Sequence, residues 1–160
     1  NVAILYCSAE ANSKYQATEF EKYLDEDSIS YKEFTASDSN DIGSVVQSAI
    51  EYADVIYIPT DNTMAQNTEA INNIALPAGV PIIAGEEGIC SGCGVATLSI
   101  SYYDIGYKAG EMAYDILVNG ADITTMDIEY APQVTKEYNA SIAEQLGVTI
   151  PDGYTAIAAE

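Results

Sequence analysis

Short apolar runs alternate along the chain with stretches whose apolar positions recur every three or four residues. Val2 to Tyr6 is apolar throughout, as a strand covered on both faces must be. Ser13 and Gln16 fit a capping box opening a helix that runs to about Leu24. Ile29 to Phe34 predicts a second strand. Ile42, Val45, Val46, Ala49 and Ile50 then fall on one face of a helix capped by Ser39 or Asn40. Val55 to Ile58 is a third strand, stopped by Pro59 and followed by a polar cluster with a helix start near Thr63. Ala70, Ile71, Ile74 and Ala75 mark the next helix, Val80 to Ala84 a fourth strand, and Ala96 to Ile100 a fifth. Asp104 can cap a helix whose face carries Ile105, Ala109, Met112, Ala113, Ile116 and Leu117, closed by Asn119-Gly120. Gly106 and Gly110, one turn apart, suit close approach of that helix to the sheet.

Repeated strand–helix units with short connections predict an α/β fold. The expected form is a doubly wound parallel sheet of order 2-1-3-4-5, flanked by helices and joined by right-handed crossovers. The pattern changes after Gly120. Residues 1–120 form the expected ligand-binding unit. Residues 121–160 hold two extended pieces, Asp127 to Tyr130 and Val134 to Tyr138, and a small helix that Asn139 caps and Gly147 ends. This segment is expected to return along the hinge or a neighbouring lobe, or to fold back on the sheet edge.

The order 2-1-3-4-5 places a switch point between strands 1 and 3, where ligands bind open α/β sheets. The loops at Ser8–Ser13 and Thr60–Thr63 would face each other there. Asp61 could pair with an ammonium, and Asn62 can both donate and accept, though either could equally cap a helix. Asn12 and Ser13 sit at the first helix start, where free backbone N–H groups favour an anion. Glu86 follows strand 4, and Tyr102 follows strand 5, where its ring could stack on a ligand. The candidate binding set is therefore Asn12, Ser13, Thr60, Asp61, Asn62, Glu86 and Tyr102.

Composition removes competing chemistries. The 160 residues fit one domain, 48% hydrophobic and 19% charged. Five lysines face 25 acidic residues, for a formal net charge of -20, so binding nucleic acid by phosphate neutralisation is not expected. With no histidine, Ser–His and Cys–His nucleophile pairs are impossible and the commonest metal ligand is missing. No glycine-rich phosphate loop follows strand 1. Cys90 and Cys93 could be a structural pair in a glycine-bearing loop, a disulfide (with Cys7 as another partner) or a flavodoxin-like redox site. No enzyme activity, cofactor or metal is expected. The chain opens on Asn1 beside strand sequence with no leader pattern, which suggests a piece of something longer.

Five stretches in order carry a resemblance: Ala11-Asn-Ser13, Tyr57-Ile-Pro-Thr-Asp-Asn62, Pro81-Ile-Ile-Ala-Gly-Glu-Glu-Gly88, Ala96-Thr-Leu-Ser-Ile-Ser-Tyr-Tyr-Asp-Ile-Gly106, and the tail Tyr138-Asn139 with Ala143-Glu-Gln-Leu-Gly-Val-Thr-Ile-Pro151. Together they resemble the tryptophan/tyrosine-type substrate-binding proteins of ABC transporters, across essentially the whole chain. The resemblance implies one lobe of a type I periplasmic-binding protein, the C-terminal one, with an N-terminal lobe missing. It implies a small ligand, an amino acid and possibly an aromatic one, held between lobes and delivered to an ABC permease. It also implies export, often as a lipoprotein, to an extracytoplasmic location. By motif, Asn12, Ser13, Asp61, Asn62, Glu86 and Tyr102 would line the cleft. The family pattern leads one to expect an acid at position 101, where this chain has Ser101. A sugar- or nucleoside-binding lobe of the same fold is the alternative within that architecture.

Overall fold

The computed structural model describes residues 1–158. Seven strands form one sheet in the order β2-β1-β3-β4-β5-β6-β7. The parallel part comprises β1 (Val2–Cys7), β2 (Tyr31–Ala36), β3 (Val55–Ile58), β4 (Ile82–Ala84) and β5 (Ala96–Ile100), in the order expected from the sequence. β6 (Val134–Tyr138) then pairs antiparallel with β5, from Ala96↔Tyr138 to Ile100↔Val134. The two-residue β7 (Thr155–Ala156) runs parallel to β6. Residues 127–130 form no strand.

β1 shows why a wholly apolar run becomes a central strand. Ala3, Leu5 and Cys7 enter a core with Ile56, Ile58, Ile82, Val46, Ala49 and Ile71, beneath α2 (Ile42–Tyr52) and α4 (Thr68–Ala75). Val2, Ile4 and Tyr6 enter the opposite core with Ala17 and Leu24 of α1 (Ala11–Glu26). Phe20 seals that side against Tyr57, ring centroids 4.3 Å apart. Both faces of β1 are covered, and burying each large aliphatic side chain contributes about 1.5–3 kcal/mol.

The second face is covered on one half only. α6 (Tyr102–Leu117) buries none of its residues, and a Cβ built on Gly106 or Gly110 would meet nothing within 4 Å. Those glycines therefore do not mediate an approach to the sheet. Ile83 on β4 and Leu98 on β5 are left 39% and 57% exposed. On α6 Ile105 and Leu117, and after it Val118, Ile123 and Ile128, are also exposed. The apolar stripe of α6 is real, but its partner is not this sheet.

Two further elements differ from expectation. Residues around Cys90 form a short helix, α5 (Glu87–Gly92), capped by Glu86, rather than a loop. α6 starts at Tyr102 with Ser101 as its cap: the Ser101 hydroxyl accepts from the Asp104 N–H at 3.1 Å. A capping serine therefore stands where the family pattern had suggested an acid. α7 (Ala140–Leu146) follows expectation, with Asn139 capping Ile142 at 3.1 Å and Gly147 ending it at φ 65°.

Candidate functional site

The carboxyl ends of β1 and β3 lie side by side because these strands pair, and the loops leaving them form the crevice. Thr60 is its hub. The Ser13 hydroxyl and the Asn12 side-chain amide both donate to the Thr60 carbonyl at 3.0 Å, and the Thr60 N–H donates to Gln16 Oε1 at 3.0 Å. Ser13 and Gln16 thus do not cap their own helix; they clamp the facing loop. The Thr60 hydroxyl reaches the Gly85 carbonyl at 3.4 Å, which links the β4 loop. A Cβ at Gly85 would lie 2.6 Å from Thr60 N and 2.7 Å from the Pro59 carbonyl carbon, so only glycine allows this approach.

Asp61 is 1% exposed, and both of its carboxylate oxygens are engaged. One accepts from the Cys7 N–H at 2.8 Å and the other from Met64 N–H at 2.9 Å. It joins the end of β1 to the start of α3 (Asn62–Ala65), the capping role that the sequence left open. Glu86 likewise accepts from the Gly88 and Ile89 N–H groups at the start of α5. Ser13 is fully buried. The structure therefore brings Asn12, Ser13, Thr60, Asp61 and Asn62 together, with Glu86 on the adjoining loop. Within that set Ser13, Asp61 and Glu86 are committed to internal partners.

Asn12 and Asn62 are exposed, and Tyr102 is 57% exposed at the tip of β5. Burial, and after it the negative charge of Glu86, push the Tyr102 hydroxyl's pKa up, which ties this residue electrostatically to the β4 loop. Amides able to donate and accept, with an aromatic ring two strands further along the same sheet end, can meet the polar groups and side chain of a zwitterion. A pocket of about 510 Å³ adjoins the crevice, lined by Cys7, Ala9, Ser37, Asp38, Thr63 and Gln66. Another, of about 460 Å³, lies at the other end of the strands, near Ser91, Asn139 and Ile142.

Glu10 belongs to this crevice too, although the sequence pattern did not single it out. From the β1–α1 loop its carboxylate crosses to the start of α3. Oε2 accepts from the Asn62 N–H at 2.9 Å and the Asn62 side-chain amide at 3.0 Å. Oε1 accepts from the Thr63 N–H and hydroxyl, both at 2.8 Å. Partial burial pushes its pKa upward, but these four bonds outweigh that and hold the carboxyl at about 2. The available signal was an acid just before a helix at a strand switch point.

Cys7, Cys90 and Cys93 are buried free thiols. Desolvation pushes Cys90 and Cys93 to about 12, and their sulfurs donate to the carbonyls of Gly94 and Ile89. A redox site needs an accessible thiol with a lowered pKa, so the flavodoxin-like redox alternative loses its chemistry. Among the described residues, no group of three or more potential metal ligands occurs, and no helix is long and apolar enough to cross a membrane.

Known proteins resemble this chain in sequence and fold. A tyrosine-binding protein of Clostridioides difficile (strain R20291) is 32% identical over 130 residues, 79% of this chain and 38% of the relative. The ligand-free, open structure of a substrate-binding protein with adhesive properties from Clostridium difficile superposes with a TM-score of 0.79 at 28% identity, covering 99% of this chain and 54% of the other. A Streptococcus pneumoniae ABC domain in complex with L-Trp gives 0.86 at 28% identity, covering 98% and 54%. A conserved domain protein of Vibrio cholerae gives 0.87 at 29% identity, covering 97% and 53%. The chain thus spans 38% of the curated relative and about half of the solved ones. The family described as ABC transporter substrate binding protein matches residues 1–160, and the chain belongs to that family.

Proposed function

We propose that this chain is one lobe of a solute receptor that captures an aromatic amino acid between two α/β lobes and passes it, chemically unchanged, to the permease of an ABC importer. The observation that carries this reading is the switch-point crevice: Asn12 and Ser13 converge on Thr60, with Asn62 beside them and Tyr102 at the tip of β5, one strand beyond β4. Asn12 and Asn62 meet the amino-acid backbone, the Thr60 hydroxyl oxygen is left to accept from it, and Tyr102 packs on the side chain. Ser13, Asp61 and Glu86 shape the walls without touching ligand. The relatives lend the ligand class, since one is named for tyrosine and another holds L-Trp.

The bare face of α6 supports a second lobe. Ile83, Leu98 and the α6 stripe expose more apolar surface than an isolated unit needs, and the relatives carry length beyond the matched stretch. In this reading residues 1–120 include the binding unit, and the chain after residue 120 returns along the hinge before β6 joins the edge of the same sheet. Ligand touching both lobes favours the closed arrangement by its differential affinity. An exported, lipid-anchored protein outside the cytoplasm fits such a task.

Calorimetric titration of the full-length protein with L-tyrosine and L-tryptophan tests the assignment. We expect saturable binding to at least one, weakened roughly 10-fold or more by Asn62→Ala, the loss of about one well-placed polar contact. Absence of binding, or affinity indifferent to Asn62 and Tyr102, would overturn it. A preference for sugars or nucleosides would favour the alternative ligand class.

A further inference from the structure

Glu10 contacts four donors on the opposite wall of the crevice, yet ends the loop that leads into α1, two residues before Asn12. All four donors come from two consecutive residues, Asn62 and Thr63, at the point where β3 turns into α3. An ionised carboxylate accepting four hydrogen bonds at 2.8–3.0 Å has its oxygens filled, so it offers little to a ligand. Its effect is mechanical. Asn12 is held to Thr60 from one side, and Asn62 is held to Glu10 from the other. The two exposed amides of the crevice are thereby fixed relative to each other across loops separated by some fifty residues. Asp61 anchors Met64, the residue after Thr63, independently.

We propose that Glu10 is the positioning residue of the crevice: a carboxylate strap that sets the spacing of Asn12 and Asn62 before a ligand arrives. This rests on the reading that the crevice holds an amino acid. The strap orients the Asn62 amide by holding its Nδ2 and leaves Oδ1 free to accept from a ligand donor. Without the strap the Asn62 side chain regains its rotamers, and binding must bear the cost of ordering it.

The test joins a ligand-free readout to a ligand-dependent one, on the full-length protein and its Glu10→Gln variant. Amide hydrogen exchange should accelerate at least about 10-fold at one or both of Asn62 and Thr63 in the variant, while Met64 stays protected by Asp61. The reason is that a neutral side-chain amide has a single acceptor oxygen and cannot serve both residues. Affinity for L-tyrosine or L-tryptophan should fall roughly 10-fold. In an Asn62→Ala background the same change should cost less than about 2-fold, because the two residues act as a unit. A role confined to fold stability predicts independent, additive losses instead. Wild-type affinity in Glu10→Gln, or a full loss retained in the Asn62→Ala background, overturns the proposal alone. Failure of the unmodified protein to bind either amino acid removes the crevice reading itself, and the positioning role with it.

Discussion

Replacing Asp61 with alanine separates a structural carboxylate from a ligand-binding one. Asp61 is buried at the junction of β1 and α3, where its oxygens accept from the Cys7 and Met64 N–H groups. Alanine leaves both donors without an acceptor in a site closed to water. Each unsatisfied buried group costs about 1–3 kcal/mol, so the pair sums to roughly 2–6 kcal/mol. Single substitutions seldom exceed about 4–5 kcal/mol, because the backbone relaxes, and we expect about 3 kcal/mol. For a chain of this size that lowers Tm by roughly 6–12 °C. Asp61→Asn retains one acceptor and should lose about half as much. Urea and thermal unfolding followed by far-UV circular dichroism give both values, with exposed Asn62→Ala as a control within about 1 kcal/mol. A drop in Tm below about 2 °C for Asp61→Ala, together with abolished amino-acid binding, would make Asp61 a ligand contact and not a structural carboxylate.

Two other predictions concern groups with displaced pKa values. Glu10 titrates at about 2 in the fold against an ordinary value of 4.5, so its stabilisation is complete above about 4.5 and is lost as pH falls toward 2. The stability difference between the unmodified chain and Glu10→Gln should shrink over that window in acid unfolding curves; a difference that does not vary with pH would contradict this. Cys90 and Cys93, both at about 12, should resist iodoacetamide at about pH 8 while folded and react once the chain is unfolded in urea. Rapid alkylation of the native protein, read by mass spectrometry, would show that the thiols are not sealed.

Much of the fold can be read in the sequence because β1, β3 and β4 are dominated by apolar residues and the intervening helices have clear stripes. Such patterns report burial directly, and the parallel strand order followed from short right-handed connections. Local chemistry was harder to read where a side chain serves a distant partner. Ser13 and Gln16 have the spacing of a capping box, yet both bond Thr60, more than forty positions away. Asp61 and Glu86 stand at strand tips and satisfy helix N–H groups instead of pointing a free charge into the crevice. Periodicity also says that α6 has an apolar face without saying what covers it, and the uncovered Ile83 and Leu98 show that the obvious partner is not used. The candidate crevice was legible as a place, because strand order defines it. The division of labour within it was not, because hydrogen bonds between remote loops leave no local signature.

Where an amino acid binds is the central question, and backbone amide NMR of the full-length protein titrated with L-tryptophan or L-tyrosine measures it directly. Binding in the crevice should give saturable shift changes concentrated at Glu10–Ser13, Thr60–Thr63, Gly85–Glu87 and Ser101–Tyr102, all at the carboxyl ends of the parallel strands. Changes centred on Ser91, Asn139 and Ile142 at the opposite end, with the crevice resonances unmoved, would place the ligand elsewhere and overturn the assignment.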